Sequence, residues 1–293
     1  MTYLQPLSEH DSDLAWTGMR LEFDRIEQWQ RSGQVARSVG AGSVLDVADA
    51  LTEPHQVSHL LGYLLHTAVD HLHALKTLMT DAKAQHTFAP FTLIRGSIEA
   101  ASTALWILQD ADPRLVARRS LHLEYQNLWD LRRATRLIDD GADFDKERLA
   151  SLQEVLDRND LTAAAVKRAL HIGKLIETTA RLFDLPGSSL TWQMCSAAAH
   201  GRPWAQQFLT LFEAHNDDGT SKTISGQLTS NELAMAISLH NACEIFDKAR
   251  TVRDKHSRNP DHTGSSFARP SSGLHLPTKT LLIPTPASAK GRT

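Results

Sequence analysis

Two pairs of polar residues, each one helical turn apart, are the groups in this chain best suited to chemistry: Arg95 with Glu99, and Ser196 with His200. Residues four apart share a helix face. Each pair sits among small or apolar neighbours, FTLIRGSIEAASTALWIL for the first and MCSAAAHG for the second. If the two helices face one another, the four side chains form a polar cluster that Arg118 or Arg119 can join from the next helix. An arginine there would hold a phosphate or carboxylate through its planar fork, and His200 would serve as a general acid or base. The same residues equally suit a satisfied network that only fixes helix register, because buried polar groups need partners whatever their function.

A second constellation is a histidine stripe. His59, His66, Asp70 and His73 are spaced by seven, four and three residues, which puts them on one side of a helix, roughly opposite its leucine face. His66 with Asp70, or Asp70 with His73, can share a metal or a proton. One straight helix normally presents two ligands where a metal site needs three or four, so a solvated helix face is the simpler expectation and no metal or other cofactor is expected. His71 lies beside the apolar face and is placed to point inward.

Other chemistry has no motif here. The chain lacks a Gly-rich phosphate loop, H-E-x-x-H, G-x-S-x-G and paired zinc-type cysteines. Cys195 and Cys243, its only cysteines, suggest neither a redox motif nor a secreted disulfide framework.

Asp70-His71-Leu72, the R-x-x-x-E of Arg95 to Glu99 leading to Trp106, the paired Arg118 and Arg119, and S-x-x-x-H-G from Ser196 to Gly201 together resemble bacterial all-helical families of unknown function that are compared with HEPN-like domains. The resemblance covers roughly residues 56–215. It implies a helical protein of an accessory or defence system and, through the HEPN comparison, a metal-independent ribonuclease using His200 or His122 with an arginine such as Arg118. The arginine-to-histidine spacing of those nucleases is longer than that of Arg118 and His122, separated by three residues, or of Arg119 and His122, separated by two; Arg250 and His256 have a suitable gap but fall at the end of the last helix, near the tail.

The elements that must position these groups follow from apolar periodicity. Phe91, Ile94, Ile98, Ala101, Leu105 and Leu108 form a stripe surrounded by Gly, Ala, Ser and Thr, which predicts a central helix contacted on several sides. Further helices are predicted over Leu14–Trp29, Gln56–Met79 (entered past Pro54), Pro113 to about Ile138 behind an Asp112 cap, Lys146–Asp157, Thr162–Phe183, Ser189–His200 and Trp204–Ala214. Thr229 with Glu232 makes a capping-box pattern for a last helix to about Lys255. Residues 216–226 are polar, with a small hairpin through Thr223 to Leu228.

Length, composition and the absence of an apolar run long enough to span a bilayer bound the class. The expectation is an all-α, irregular antiparallel multi-helix bundle over residues 1–255, with a flexible, disordered basic tail over 256–293, soluble and cytoplasmic. The net charge of −3 hides an asymmetry: from Phe246 onward nine Lys or Arg face three Asp or Glu, a balance of +6 that leaves −9 for the preceding residues. For function, the leading expectation is a non-enzymatic protein acting through a protein partner or a small anionic ligand at the Arg95 cluster. RNA is the partner under the ribonuclease alternative, a histidine-based metal protein is a second alternative, no membrane is involved, and a homo-oligomer stays open.

Overall fold

In the computed structural model the described residues are 7–32, 38–137, 146–162, 166, 169–215 and 226–259. They form helices α1 (Glu9–Arg31), α2 (Val44–Thr52), α3 (Val57–Thr80), α4 (Ala89–Ile107), α5 (Pro113–Thr135), α6 (Lys146–Arg158), α7 (Ile172–Leu182), α8 (Ser188–Ala199) and α9 (Pro203–Leu209). Strands β1 (Thr210–Ala214) and β2 (Gly226–Ser230) follow, then α10 (Glu232–His256). The described residues thus form an all-α irregular bundle carrying one two-stranded ribbon. Four helices start on a side chain that accepts from a free backbone amide: Ser8 from Asp11, Ser43 from Asp46, Asp112 from Arg114 and Asn231 from Ala234. Each such cap contributes about 1 kcal/mol.

Helix α4 is the centre. Twelve of its 19 residues are buried, so it is enclosed on more than one side, and α3, α10, α8 and α7 all pack on it. Small residues make this possible. His71 of α3 lies so close to Gly96 that a Cβ added there would fall 2.4 Å from the ring. The His71 ring therefore does point inward, held by Nδ1 donating to the Thr67 carbonyl at 2.8 Å.

Side-chain pairs set the helix directions. Ser12 meets Glu232, Glu22 meets His240, Arg25 meets Glu244 and Trp29 meets Phe246. The two sequence positions rise together, so α1 and α10 run parallel. Helix α4 also runs parallel to α10: Ser230 donates to the His86 carbonyl where α4 begins, and His256 reaches the Asp110 carbonyl just beyond its end. Helix α3 is antiparallel to α1, pairing Lys76 with Glu27 while Gln85, just past its end, reaches Glu232. A second, smaller apolar cluster joins α5 to α6 through Leu121, Leu128, Leu152, Val155 and Leu156.

Several boundaries differ from expectation. Helix α9 stops at Leu209 and residues 210–214 turn into a strand, because they pair with 226–230 in register Thr210↔Ser230 to Ala214↔Gly226; a non-local ladder overrides local helical spacing. Thr229 therefore lies in β2, and Asn231 rather than a Thr229–Glu232 capping box starts α10. Pro54 is outside α3, which is capped instead by Asp49 of α2 accepting from the Ser58 amide at 2.8 Å. Of the helix expected over Thr162–Phe183, Val166 is helical and α7 starts afresh at Ile172 after an extended His171, while residues 163–165 and 167–168 lie outside the described residues. Helix α2 was hidden in a glycine-containing stretch. At the far end, His256 and Ser257 are buried and Gly40 donates to the Ser257 carbonyl at 2.9 Å, so ordered packing continues past 255. The tail expected beyond, and residues 223–225 of the expected hairpin, lie outside the described residues.

Gly96→Ala tests the α3–α4 approach. Overpacking of this kind costs about 1–3 kcal/mol, and the double variant with His71→Ala should recover part of that loss. Additive losses in thermal or urea unfolding would mean that the two residues do not press on one another.

Candidate functional site

Arg95 and Glu99 occupy one face of α4, and α8 runs antiparallel beside it: Trp192 of α8 meets Glu99, while His200, the C-cap of α8, meets Arg95. Arg95 Nε donates to Glu99 Oε1 at 2.8 Å, and Trp192 Nε1 donates to the same oxygen at 2.8 Å. Arg95 Nη1 stands 3.3 Å from His200 Nε2. A guanidinium has no acceptor, so this contact makes Nε2 the acceptor and puts the neutral ring's proton on Nδ1. Arg95 Nη2 has no partner among the described residues.

The cluster is open on one side. The Arg95 and Glu99 side chains are 25% and 28% exposed, and His200 is exposed. The expected meeting of the two helices is present, but the shared neighbourhood is a rim rather than an enclosed centre. The ion pair is consequently worth no more than about 1 kcal/mol. Ser196 sits one turn before His200 on α8, half-buried, and its hydroxyl makes no hydrogen bond among the described residues. Trp192, which orients Glu99, completes the series Trp192, Ser196, His200 at four-residue spacing; that spacing was the available signal for it.

The other candidates lie elsewhere. Arg119 turns to the end of α4, pairing with Asp110 and reaching the Ile107 carbonyl. Arg118 is exposed on α5. His122 packs edge-on against Trp106 with ring centroids 5.7 Å apart. No contact joins any of these three to Arg95 among the described residues. On α3, His59, His66 and Asp70 are exposed, while His73 turns toward Glu27 of α1 at 3.8 Å. No group of three or more metal-capable side chains converges among the described residues.

A second polar cluster, not anticipated, joins α1 to α10. Glu22, 7% exposed, accepts from Arg25 at 2.8 Å and from His240 Nδ1 at 2.7 Å, and Arg25 also reaches Glu244 at 2.9 Å. The sequence spacings Glu22–Arg25 and His240–Glu244 are legible, but nothing in them says that these two helices meet. Both cysteines are poor nucleophiles: burial pushes the Cys195 thiol up to about 12 and raises Cys243 well above its ordinary range, so the reactive thiolate is scarce. A recess of about 320 Å³ lined by Ser38, Asp254, Ser257 and Arg258 lies at the end of α10, apart from the Arg95 rim.

The hydrogen bond to Glu22 raises the His240 imidazolium above the ordinary 6.5. A raised folded value means that this stabilisation is complete below pH 6.5 and is lost as pH rises through the folded value. The urea midpoint should therefore fall between pH 6 and pH 8 by more in the unaltered protein than in His240→Gln; parallel profiles would remove the linkage. Comparison with family models, with curated proteins and with solved structures finds no match for this chain.

Proposed function

We propose that this chain is a non-enzymatic helical binding protein, of the kind that serves bacterial accessory or defence systems, and that it takes an anionic group, phosphate or carboxylate, at the Arg95 rim. One observation supports the reading above others. The Arg95 guanidinium is held in place through Nε by a Glu99 that Trp192 itself orients, yet its Nη2 has no partner among the described residues and the side chain reaches solvent. A fixed, partly desolvated donor edge is what bidentate anion recognition needs. The anion belongs to a small ligand or to a side chain of a protein partner.

Thermal unfolding with inorganic phosphate, nucleoside monophosphates and dicarboxylates tests this. A ligand at a hundredfold excess over its dissociation constant contributes about 2.7 kcal/mol, and Arg95→Ala should abolish the resulting rise in melting temperature while the variant stays folded. If none of these anions raises it, and Arg95→Ala unfolds the chain, the cluster is structural.

A second reading is favoured by the Arg95–His200 contact itself. Once substrate displaces the Arg95 contact from Nε2, the His200 imidazole on this exposed rim can take the proton of a ribose 2′-hydroxyl at that atom while the released arginine edge meets the developing phosphate charge. This is the ribonuclease alternative, with His200 rather than His122 as base. RNA left intact by the purified protein, with and without His200→Ala, eliminates it.

A further inference from the structure

Helix α5 carries a surface that the Arg95 reading does not use. At 3.6 residues per turn, Arg114, Arg118, Trp129, Arg132, Arg133 and Arg136 fall within an arc of about 100° on one side, running for about 33 Å. Arg136 is the C-cap residue of the helix. The helix buries a different side: Val116, Ala117, Ser120, Leu121 and Leu128 are the residues it gives to the core. Its two acidic residues, Glu124 and Asp130, stand on either side of the stripe, about 110–130° from its midline, and Arg133 lies 4.0 Å from Asp130. Arg114, Arg118 and Arg136 are exposed and form no ion pair among the described residues. Five arginines therefore line one edge of a chain whose net charge is −3.

The stripe is not purely basic. Trp129 is 41% exposed in its middle, with the Arg132 guanidinium 5.5 Å from its ring centroid and the Tyr125 ring 6.3 Å away at an angle of 56°. An indole left half in water, between guanidinium groups that core packing does not require, combines the two features that bind a single strand: cations for phosphates and a π-face for an unpaired base. Arginine adds a plane of its own for stacking. An acidic peptide offers the charge without the bases, and a duplex keeps its bases stacked inside. We infer that the α5 face binds single-stranded nucleic acid, with the arginines on consecutive phosphates and Trp129 against a base.

Fluorescence anisotropy with a labelled 20-nucleotide RNA, a DNA of the same sequence and the matching duplexes tests this on the full chain. Both single strands should bind at 50 mM salt and weaken by at least tenfold at 200 mM; a preference for RNA or for DNA identifies which of the two the surface serves. Arg114→Gln, Arg118→Gln and Arg136→Gln together should weaken binding at least tenfold and lower the salt slope by about 2, the loss of three phosphate contacts. Trp129→Ala alone should weaken binding about tenfold with the slope unchanged. Arg114, Arg118 and Arg136 are exposed, so an unchanged melting temperature accompanies the loss in the triple variant; Trp129→Ala, which also gives up its packing on Tyr125, is compared with the parent at a temperature where both are folded, and Arg95→Ala should leave single-strand affinity intact. The inference is overturned if neither single strand binds at 50 mM salt, if the α5 variants bind as well as the parent, if duplexes bind as tightly as single strands, if poly-glutamate displaces the strand as readily as unlabelled RNA, or if Arg95→Ala abolishes binding.

Discussion

The structure depends on one constraint: α4 is buried on several sides, so every neighbour must approach it closely and every charge on it must be answered. Ala100, Ala101 and Ala104 keep its surface low, and at Gly96 it accepts an imidazole where any side chain would collide. Interiors pack at crystal-like density, so the helices around α4 have little freedom of position. Arg95 and Glu99 are the two charged residues of α4, and they lie at the rim where α8 ends. A fully enclosed pair would cost several kcal/mol in desolvation; at the rim both keep contact with water while the Trp192 indole fixes the carboxylate. What leaves an edge of Arg95 open to solvent and what lets a charged residue exist on the central helix are the same circumstance.

The two polar clusters divide in kind. Around Glu22 the carboxylate is nearly sealed and satisfied by Arg25 and His240 across two helices, an arrangement that fixes the mutual rotation of α1 and α10. Around Arg95 the donors exceed the acceptors and face outward. Ser97 Oγ on α4 and Ser120 Oγ on α5 are buried without a partner among the described residues. Both positions require a small residue more than a hydroxyl, consistent with close packing as the dominant demand there.

Much of the architecture was legible in the chain. The period of Phe91, Ile94, Ile98, Ala101 and Leu105, with small residues between, indicated a helix touched from several sides, and Asp112-Pro113 marked the start of α5. The meeting of Arg95 with His200 also followed from two i, i+4 pairs in similar surroundings. Its openness did not, because exposure depends on where α8 ends and on what lies beyond it. The β1–β2 ladder, the Asp49 cap on α3 and the Glu22–His240 pair share one reason for being missed. Each is a contact between segments distant along the chain or in separate elements, and local spacing carries no information about partners.

The parallel pairing of α1 with α10 bears on how the molecule comes into being. Their contacts join residues 217 to 220 positions apart. During synthesis at about 5–20 residues per second, the first helix waits on the order of 10–40 s for its counterpart to leave the ribosome. Helix α3 emerges early and can shelter one flank of α1, but the seam of Glu22, Arg25 and Trp29 has nothing native to dock against until nearly the whole body has been translated. The bundle is therefore closed by its last helix, and the nascent chain must tolerate an unfinished groove for most of its synthesis.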